Sequence, residues 1–237
     1  MTLYAVTDRR WVGRQTLLEQ VKSALEGGAT CIQLREKELD DEDFLAEAMS
    51  VRRLCSDYGV PFIVNDNVDV ALRSHADGVH VGQHDRPARD VRGAIGNSMI
   101  LGVSVQTVEE ALSAVSAGAD YLGVGAVFPT LTKSDADYIP RDVLAAICET
   151  VTIPVVAIGG IDRENLSLLT GTGVDGVALI SAIFSAEDIE AECRTLRVLA
   201  ERLVGRRASQ RSSEVTDACQ MSEALSKAGS CEGGCLK

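Results

Sequence analysis

Eight short apolar runs, rich in branched side chains, recur along the chain, and a stretch of longer period follows each. The runs are Leu3–Thr7, Cys31–Leu34, Pro61–Asn65, Gly78–Val81, Ile100–Ser104, Tyr121–Gly125, Pro154–Ile158 and Val177–Ser181. Runs this short read as buried strands. Between them, helix-like segments put their apolar residues on one face. Thr16–Leu25 does so with Leu17, Leu18, Val21 and Leu25, and Glu42–Asp57 with Phe44, Leu45, Ala48, Val51 and Cys55. Val105–Ala117 uses Val108, Ala111, Leu112 and Val115, and Thr107-Val-Glu-Glu110 opens it with a capping-box-like signal. Gly27-Gly28, Gly118, Gly171 and Gly173 fall just after helical patterns, where a left-handed cap favours glycine. Gly28-Ala29-Thr30, Gly118-Ala119-Asp120 and Gly173-Val174-Asp175 repeat one turn ahead of a strand, which reads as structural. Eight strand–helix alternations in roughly 200 residues predict an α/β fold, a single (β/α)8 TIM barrel. A doubly wound open sheet, usually of about five or six strands, is the alternative.

Composition narrows this picture. A chain of 237 residues suits one barrel, and 46% apolar with 24% charged residues is ordinary for a globular protein. Aromatics are only 4%, so Val, Ile, Leu and Ala must build the core, as a parallel sheet prefers. A net charge of −12 argues against nucleic acid as a partner. No apolar run reaches the roughly 18 residues of a membrane span, and Met1–Arg10 does not read as a secretory signal. Cys31, Cys55, Cys148 and Cys193 then read as buried free thiols of a cytoplasmic protein. The residues leave homo-oligomerisation open.

Charge also divides the chain. Residues 1–204, the expected barrel domain, hold 18 basic and 31 acidic side chains, whereas residues 205–237 hold 5 and 4. That second segment, with a linker-like Gly205–Ser213, a weak helical pattern over Val215–Leu225, and Cys219, Cys231 and Cys235, is expected to be a disordered polar tail. Cys231 and Cys235 are spaced like metal ligands but lack the four donors of a tetrahedral site.

In such a barrel the strand C-terminal ends face the active site. Gln33-Leu34-Arg35-Glu36-Lys37 ends strand 2, Asn65-Asp66 strand 3, Gly82-Gln83-His84-Asp85 strand 4 and Ser104 strand 5. Phe128-Pro-Thr-Leu-Thr-Lys133 follows strand 6, Ile158-Gly-Gly-Ile161 strand 7 and Ile180-Ser181 strand 8. Asp66 and Asp85 are hard oxygen donors of the kind Mg²⁺ takes together with phosphate oxygens. Arg35, Lys37 and Lys133 are cations suited to a polyphosphate, so the mouth looks built for Mg²⁺ plus pyrophosphate. Gly159-Gly160 with Ser181 forms a second phosphate-type signal, since barrels commonly hold phosphate in the loops after strands 7 and 8. Two such signals imply two phosphorylated small-molecule substrates, or one phosphorylated at both ends. The blander alternatives are an Arg35–Glu36 surface pair, helix caps at Asp66 and Asp85, a satisfied structural His80, and bystander roles for His84 at the mouth and His75 on an exposed helix end.

Six motifs, in order and each at a strand end, carry a resemblance to the thiamine-phosphate synthase family over about residues 1–195. They are Gln33-Leu-Arg-Glu-Lys37, Val64-Asn-Asp66, Gly78-Val-His-Val-Gly-Gln-His-Asp85, Gly102-Val-Ser104, Val127-Phe-Pro-Thr-Leu-Thr-Lys-Ser-Asp-Ala136 and Ile158-Gly-Gly-Ile161. The resemblance implies condensation of hydroxymethylpyrimidine diphosphate with thiazole phosphate, releasing pyrophosphate. It assigns Gln33, Arg35, Lys37, Asn65, Ser104 and Lys133 to the pyrimidine diphosphate, and counts Leu34 and Glu36 of the first motif among the substrate-binding residues, with Glu36 orienting its neighbours. Arg35, Lys37 and Lys133 are the catalytic cations, and Asp66 and Asp85 the Mg²⁺ ligands. Thr130, Leu131, Thr132, Gly160, Ile180 and Ser181 are assigned to the thiazole phosphate. The competing expectations are a thiazole tautomerase-like isomerase of the same fold and a non-catalytic sensor of phosphorylated ligands.

Overall fold

The computed structural model describes residues 1–129 and 138–205. Thr130, Leu131, Thr132, Lys133 and the whole of 206–237, with its three cysteines, lie outside them. Eight parallel strands close into a barrel in chain order: β1 (Leu3–Val6), β2 (Cys31–Leu34), β3 (Phe62–Asn65), β4 (Gly78–Val81), β5 (Ile100–Val105), β6 (Tyr121–Val124), β7 (Val155–Ile158) and β8 (Gly176–Leu179). Helices α1 (Leu17–Glu26), α2 (Asp41–Tyr58), α3 (Val68–Arg73), α4 (Ala88–Ile95), α5 (Val108–Ser116) and α6 (Arg141–Thr150) fill the first six crossings. The seventh, bracketed by Gly159-Gly160 and by Gly171 and Gly173, all at positive φ, holds only a 3₁₀ turn, Leu166–Leu169, where a full helix was expected. After β8 come α7 (Ser181–Phe184) and a helix over residues 189–205. Among the described residues no helix is long and apolar enough to cross a membrane.

Side chains alternate across the barrel wall, as strand pleat requires. Leu3, Ala5, Ile32, Leu34, Phe62, Val64, Leu101, Leu122 and Val177 join the helices' apolar faces in the larger core. Tyr4, Val6, Cys31, Ile63, Tyr121, Val156 and Ala178 pack inside the barrel. Cys55, Cys148 and Cys193 are buried free thiols like Cys31, and burial pushes Cys55 and Cys193 up to about 12.

Caps set the helix limits. Thr16 and Glu19 form a complete capping box on α1. Asp40 accepts from the Glu42 and Asp43 amides at the start of α2, whose first turn is acidic. At α5 the side chain of Thr107 accepts from the Glu110 amide, but the Glu110 carboxylate reaches the Gln106 amide, one residue earlier than a capping box requires. Val105 therefore stays in β5, paired with Val124, and the helix starts three residues later than periodicity alone suggests. Ser181, read as the end of strand 8, instead opens α7.

At the N-terminal face a clamp recurs ahead of each even-numbered strand. The Thr30 amide donates to the Leu3 carbonyl at 2.7 Å, and its hydroxyl accepts from the Leu3 amide at 2.9 Å. Asp77 binds Phe62, Asp120 binds Leu101 and Asp175 binds Val155 in the same two-point way, each carboxylate accepting a strand N–H at 2.8–2.9 Å. Gly28, Gly118 and Gly173, two residues before their clamp residues, have φ of 97°, 92° and 87°. The fourth copy has His75 at φ 54° in that place.

Candidate active site

β2 points Gln33 into the barrel and Leu34 out of it. Leu34 is wholly buried in the outer core, so its side chain is a packing group and not a ligand contact. Beyond the strand the chain is fixed by β1's own end, Thr7-Asp8-Arg9, which motif reading overlooked. The Thr7 hydroxyl accepts from the Arg35 amide at 3.0 Å, and Asp8 accepts from the Arg35 guanidinium at 3.4 Å. Arg9 donates to Glu36 at 2.6 Å and to Glu47 at 2.7 Å. The Glu36 side chain is 1% exposed and also accepts from the Lys37 and Glu38 amides. Burial alone would raise its pKa; the Glu38 amide, Arg9 and the Lys37 amide outweigh burial and hold it below the ordinary value. Glu36 is thus an anchor under the loop that presents Arg35 and Lys37, and the Arg35–Glu36 surface pair does not occur.

Asp66 follows β3 with φ 62°, a left-handed conformation uncommon outside glycine. It does not cap α3, since Asn67 does. Nor does Asp85 cap α4; its carboxylate folds back to accept from the Gly82 amide at 2.8 Å. His75 is exposed just past α3. His80, on β4, is 8% exposed and satisfied on both ring nitrogens: Nδ1 lies 2.8 Å from the Tyr121 hydroxyl and Nε2 2.8 Å from Ser104 Oγ.

A cavity of about 640 Å³ opens over these strand ends. Arg35, Lys37, His84 and Asp85 line one part of it, and Gly159, Gly160, Ile180 and Ser181 another. A smaller space of about 40 Å³ lies beneath, bounded by Tyr4, Gln33, Asn65, His80 and Tyr121, with Arg35 and Ser104 shared between the two. Asp66 borders neither. Gly160 is held at φ 65°, and a Cβ there would sit 2.3 Å from the Pro129 carbonyl oxygen. That glycine is therefore required by the close pass of the β6 and β7 loops as well as by any phosphate. Among the described residues no three or more His, Cys, Asp or Glu side chains gather as a metal cage. Of the two expected Mg²⁺ ligands Asp85 borders the cavity; Mg²⁺ binds through one or two carboxylates and fills the rest of its shell from water and phosphate.

Fold and mouth together define a (β/α)8 barrel with an ionic cavity at the C-terminal face of its strands. The model of the family described as thiamine monophosphate synthase matches residues 3–183. A thiamine-phosphate synthase of Ruminiclostridium cellulolyticum is 49% identical over 195 residues, 82% of this chain and 93% of that protein. One from Desulfitobacterium hafniense is 51% identical over 188 residues, covering 79% and 91%. The solved thiamine phosphate pyrophosphorylase of Pyrococcus furiosus superposes with a TM-score of 0.79 at 44% identity, covering 85% of this chain and 96% of that one. The chain belongs to the thiamine monophosphate synthase family.

Proposed function

We propose that this chain condenses hydroxymethylpyrimidine diphosphate with thiazole phosphate to give thiamine phosphate and pyrophosphate. As a member of its family it is a transferase of thiamine biosynthesis, and we read it as cytoplasmic. The observation that carries the site reading is one cavity bordered by Arg35 and Lys37 on one part and by Gly159, Gly160 and Ser181 on another. It suits two anionic groups held apart.

In this reading Arg35, Lys37 and Lys133 bind the diphosphate. The bond between its bridging oxygen and the pyrimidine methylene breaks, and the electron pair leaves with pyrophosphate. The electron-rich aminopyrimidine stabilises the methylene cation left behind. The thiazole nitrogen then donates its lone pair to that carbon and forms the new C–N bond. No proton moves, so no general base is needed. The cations act where negative charge grows, the kind of electrostatic stabilisation that does most in a transition state. Asp66 and Asp85 would hold Mg²⁺, which when bound neutralises diphosphate charge. Gly160, Ile180 and Ser181, with Thr130, Leu131 and Thr132, would take the thiazole phosphate.

The test is pyrophosphate release with both substrates and Mg²⁺, beside equilibrium binding of each alone. Lys133→Ala should slow condensation by about 10²–10³ while thiazole phosphate affinity changes little. A purified chain that isomerises a thiazole carboxylate phosphate and releases no pyrophosphate would overturn the reading.

A further inference from the structure

Beneath the ionic mouth a chain of side chains crosses the barrel. Gln33 Nε2 donates to the Tyr4 hydroxyl at 2.8 Å, and the Tyr4 and Tyr121 hydroxyls are 2.9 Å apart. Tyr121 meets His80 Nδ1 and His80 Nε2 meets Ser104 Oγ, each at 2.8 Å. The five residues come from five different strands. Space for it is made on purpose: a Cβ at Gly102 would lie 2.3 Å from the Tyr121 hydroxyl and 2.4 Å from His80 Nδ1. The rings pack edge-on, with Tyr4 and Tyr121 centroids 6.0 Å apart at 64°.

Proton counting gives the chain a direction. Burial raises both tyrosines well above the ordinary value, so each keeps its single proton. Tyr4 accepts from Gln33 and passes its own proton to Tyr121; the neighbouring Cys31 thiol is a weak acceptor and competes poorly. Tyr121 must then donate to Nδ1. His80 carries its proton on Nε2 and donates to Ser104, whose own proton is left for the cavity. Gln33 meanwhile keeps its carbonyl oxygen for a ligand.

We propose that this chain couples Gln33 to Ser104, so that one end of the pyrimidine site accepts a hydrogen bond while the other donates one. An aminopyrimidine, with an exocyclic N–H and ring nitrogen acceptors, matches that pair. His80 and Tyr121 are then positioning residues that set specificity from below. The inference rests on the pyrimidine assignment above.

Gln33→Ala, Ser104→Ala and their double variant, made in the wild-type and Tyr121→Phe chains, test it through KM for hydroxymethylpyrimidine diphosphate. In the wild-type chain the two substitutions should depart from additivity by about tenfold, and in Tyr121→Phe most of that coupling should vanish. The KM for thiazole phosphate should stay put throughout. Coupling that persists undiminished in Tyr121→Phe, or equal shifts in both KM values, overturns the proposal. ¹⁵N NMR of His80 in the ligand-free full chain at fixed pH should find the proton on Nε2, and a proton on Nδ1 overturns it too. A wild-type chain that makes no thiamine phosphate would sink the function reading instead, and the His80 spectrum would still decide the direction of the chain.

Discussion

At the N-terminal end of the barrel Thr30, Asp77, Asp120 and Asp175 make one hydrogen-bond pattern four times, whereas at the C-terminal end the strands line the cavity with cations, a carboxylate, hydroxyls and glycines in no repeating pattern. The lower pattern repeats because the problem repeats: an amide at the start of each odd-numbered strand needs an acceptor, and the turn before the next strand supplies it. On the proposed function the upper end cannot repeat, because a diphosphate, a pyrimidine and a thiazole phosphate ask for different partners. Symmetry therefore marks where the molecule is held together, and its loss marks where it works. Losing one clamp should cost stability and spare chemistry; losing one mouth residue should do the reverse.

The sharpest break of that contrast is Asp85→Asn, which keeps an oxygen for the Gly82 amide but removes the charge. Turnover with both substrates should fall by about 10², with the melting temperature unchanged and the residual rate no longer answering to Mg²⁺. At the other end, Asp77→Ala strips the acceptor from the Phe62 amide. It should cost about 1–3 kcal/mol, read as a drop of several degrees in Tm, with kcat per folded molecule unaltered. An activity loss without a Tm loss there would erase the distinction between the two ends.

Glu36 tests the border between them, since it is structural in kind but sits at the mouth. Its carboxyl is held below the ordinary 4.5, so its contribution is present at neutral pH and down to that value, then is lost as pH falls through the lower folded value. Glu47, which shares Arg9, is shifted upward by burial despite that guanidinium and partly offsets the effect. Melting curves of wild type and Glu36→Gln should stand apart at pH 7 and converge below pH 4.5; a constant gap would show that Glu36 is not acting as an anion. The smallest effect is a gain. His75→Gly relieves the left-handed residue in the fourth clamp and should add up to about 1 kcal/mol, seen as a Tm rise of a few degrees. No rise would mean that the histidine side chain compensates for its backbone.

The eight strands were legible because each is an apolar run closed by a turn residue, and every one appears within two residues of its expected limits. The seventh crossing was not, because the alternation implies a helix where left-handed glycines at both ends leave only a 3₁₀ turn. Three clamps were visible as Gly-Ala-Asp-like repeats, and the fourth was hidden because His75 stands where the others have glycine. At the mouth, residue type and strand-end position were enough to bring Arg35, Lys37, Asp85, Gly160 and Ser181 to one cavity. They did not separate Leu34, which the pleat turns outward, from its neighbours. Nor could they show Asp8 and Arg9 under Arg35 and Glu36, or the chain through Tyr4, Tyr121 and His80. Those contacts join residues 24 to 117 positions apart, and their partners look like ordinary core or surface groups when read singly.

The clamps join β1 to β2, β3 to β4, β5 to β6 and β7 to β8, and none joins β8 to β1. There the barrel shuts backbone to backbone: Val177 donates to the Thr2 carbonyl at 3.1 Å, and a Cβ on Gly176 would lie 1.9 Å from the Met1 carbonyl oxygen. Pairing of nearly opposite ends of the fold is the contact with the greatest loop-closure cost. Assembly should thus run through four two-strand units, with the β8–β1 seam formed late. A bulkier residue at 176 would speed opening more than it slows folding, and the lifetime of the native barrel would then be set by a glycine that takes no part in binding anything.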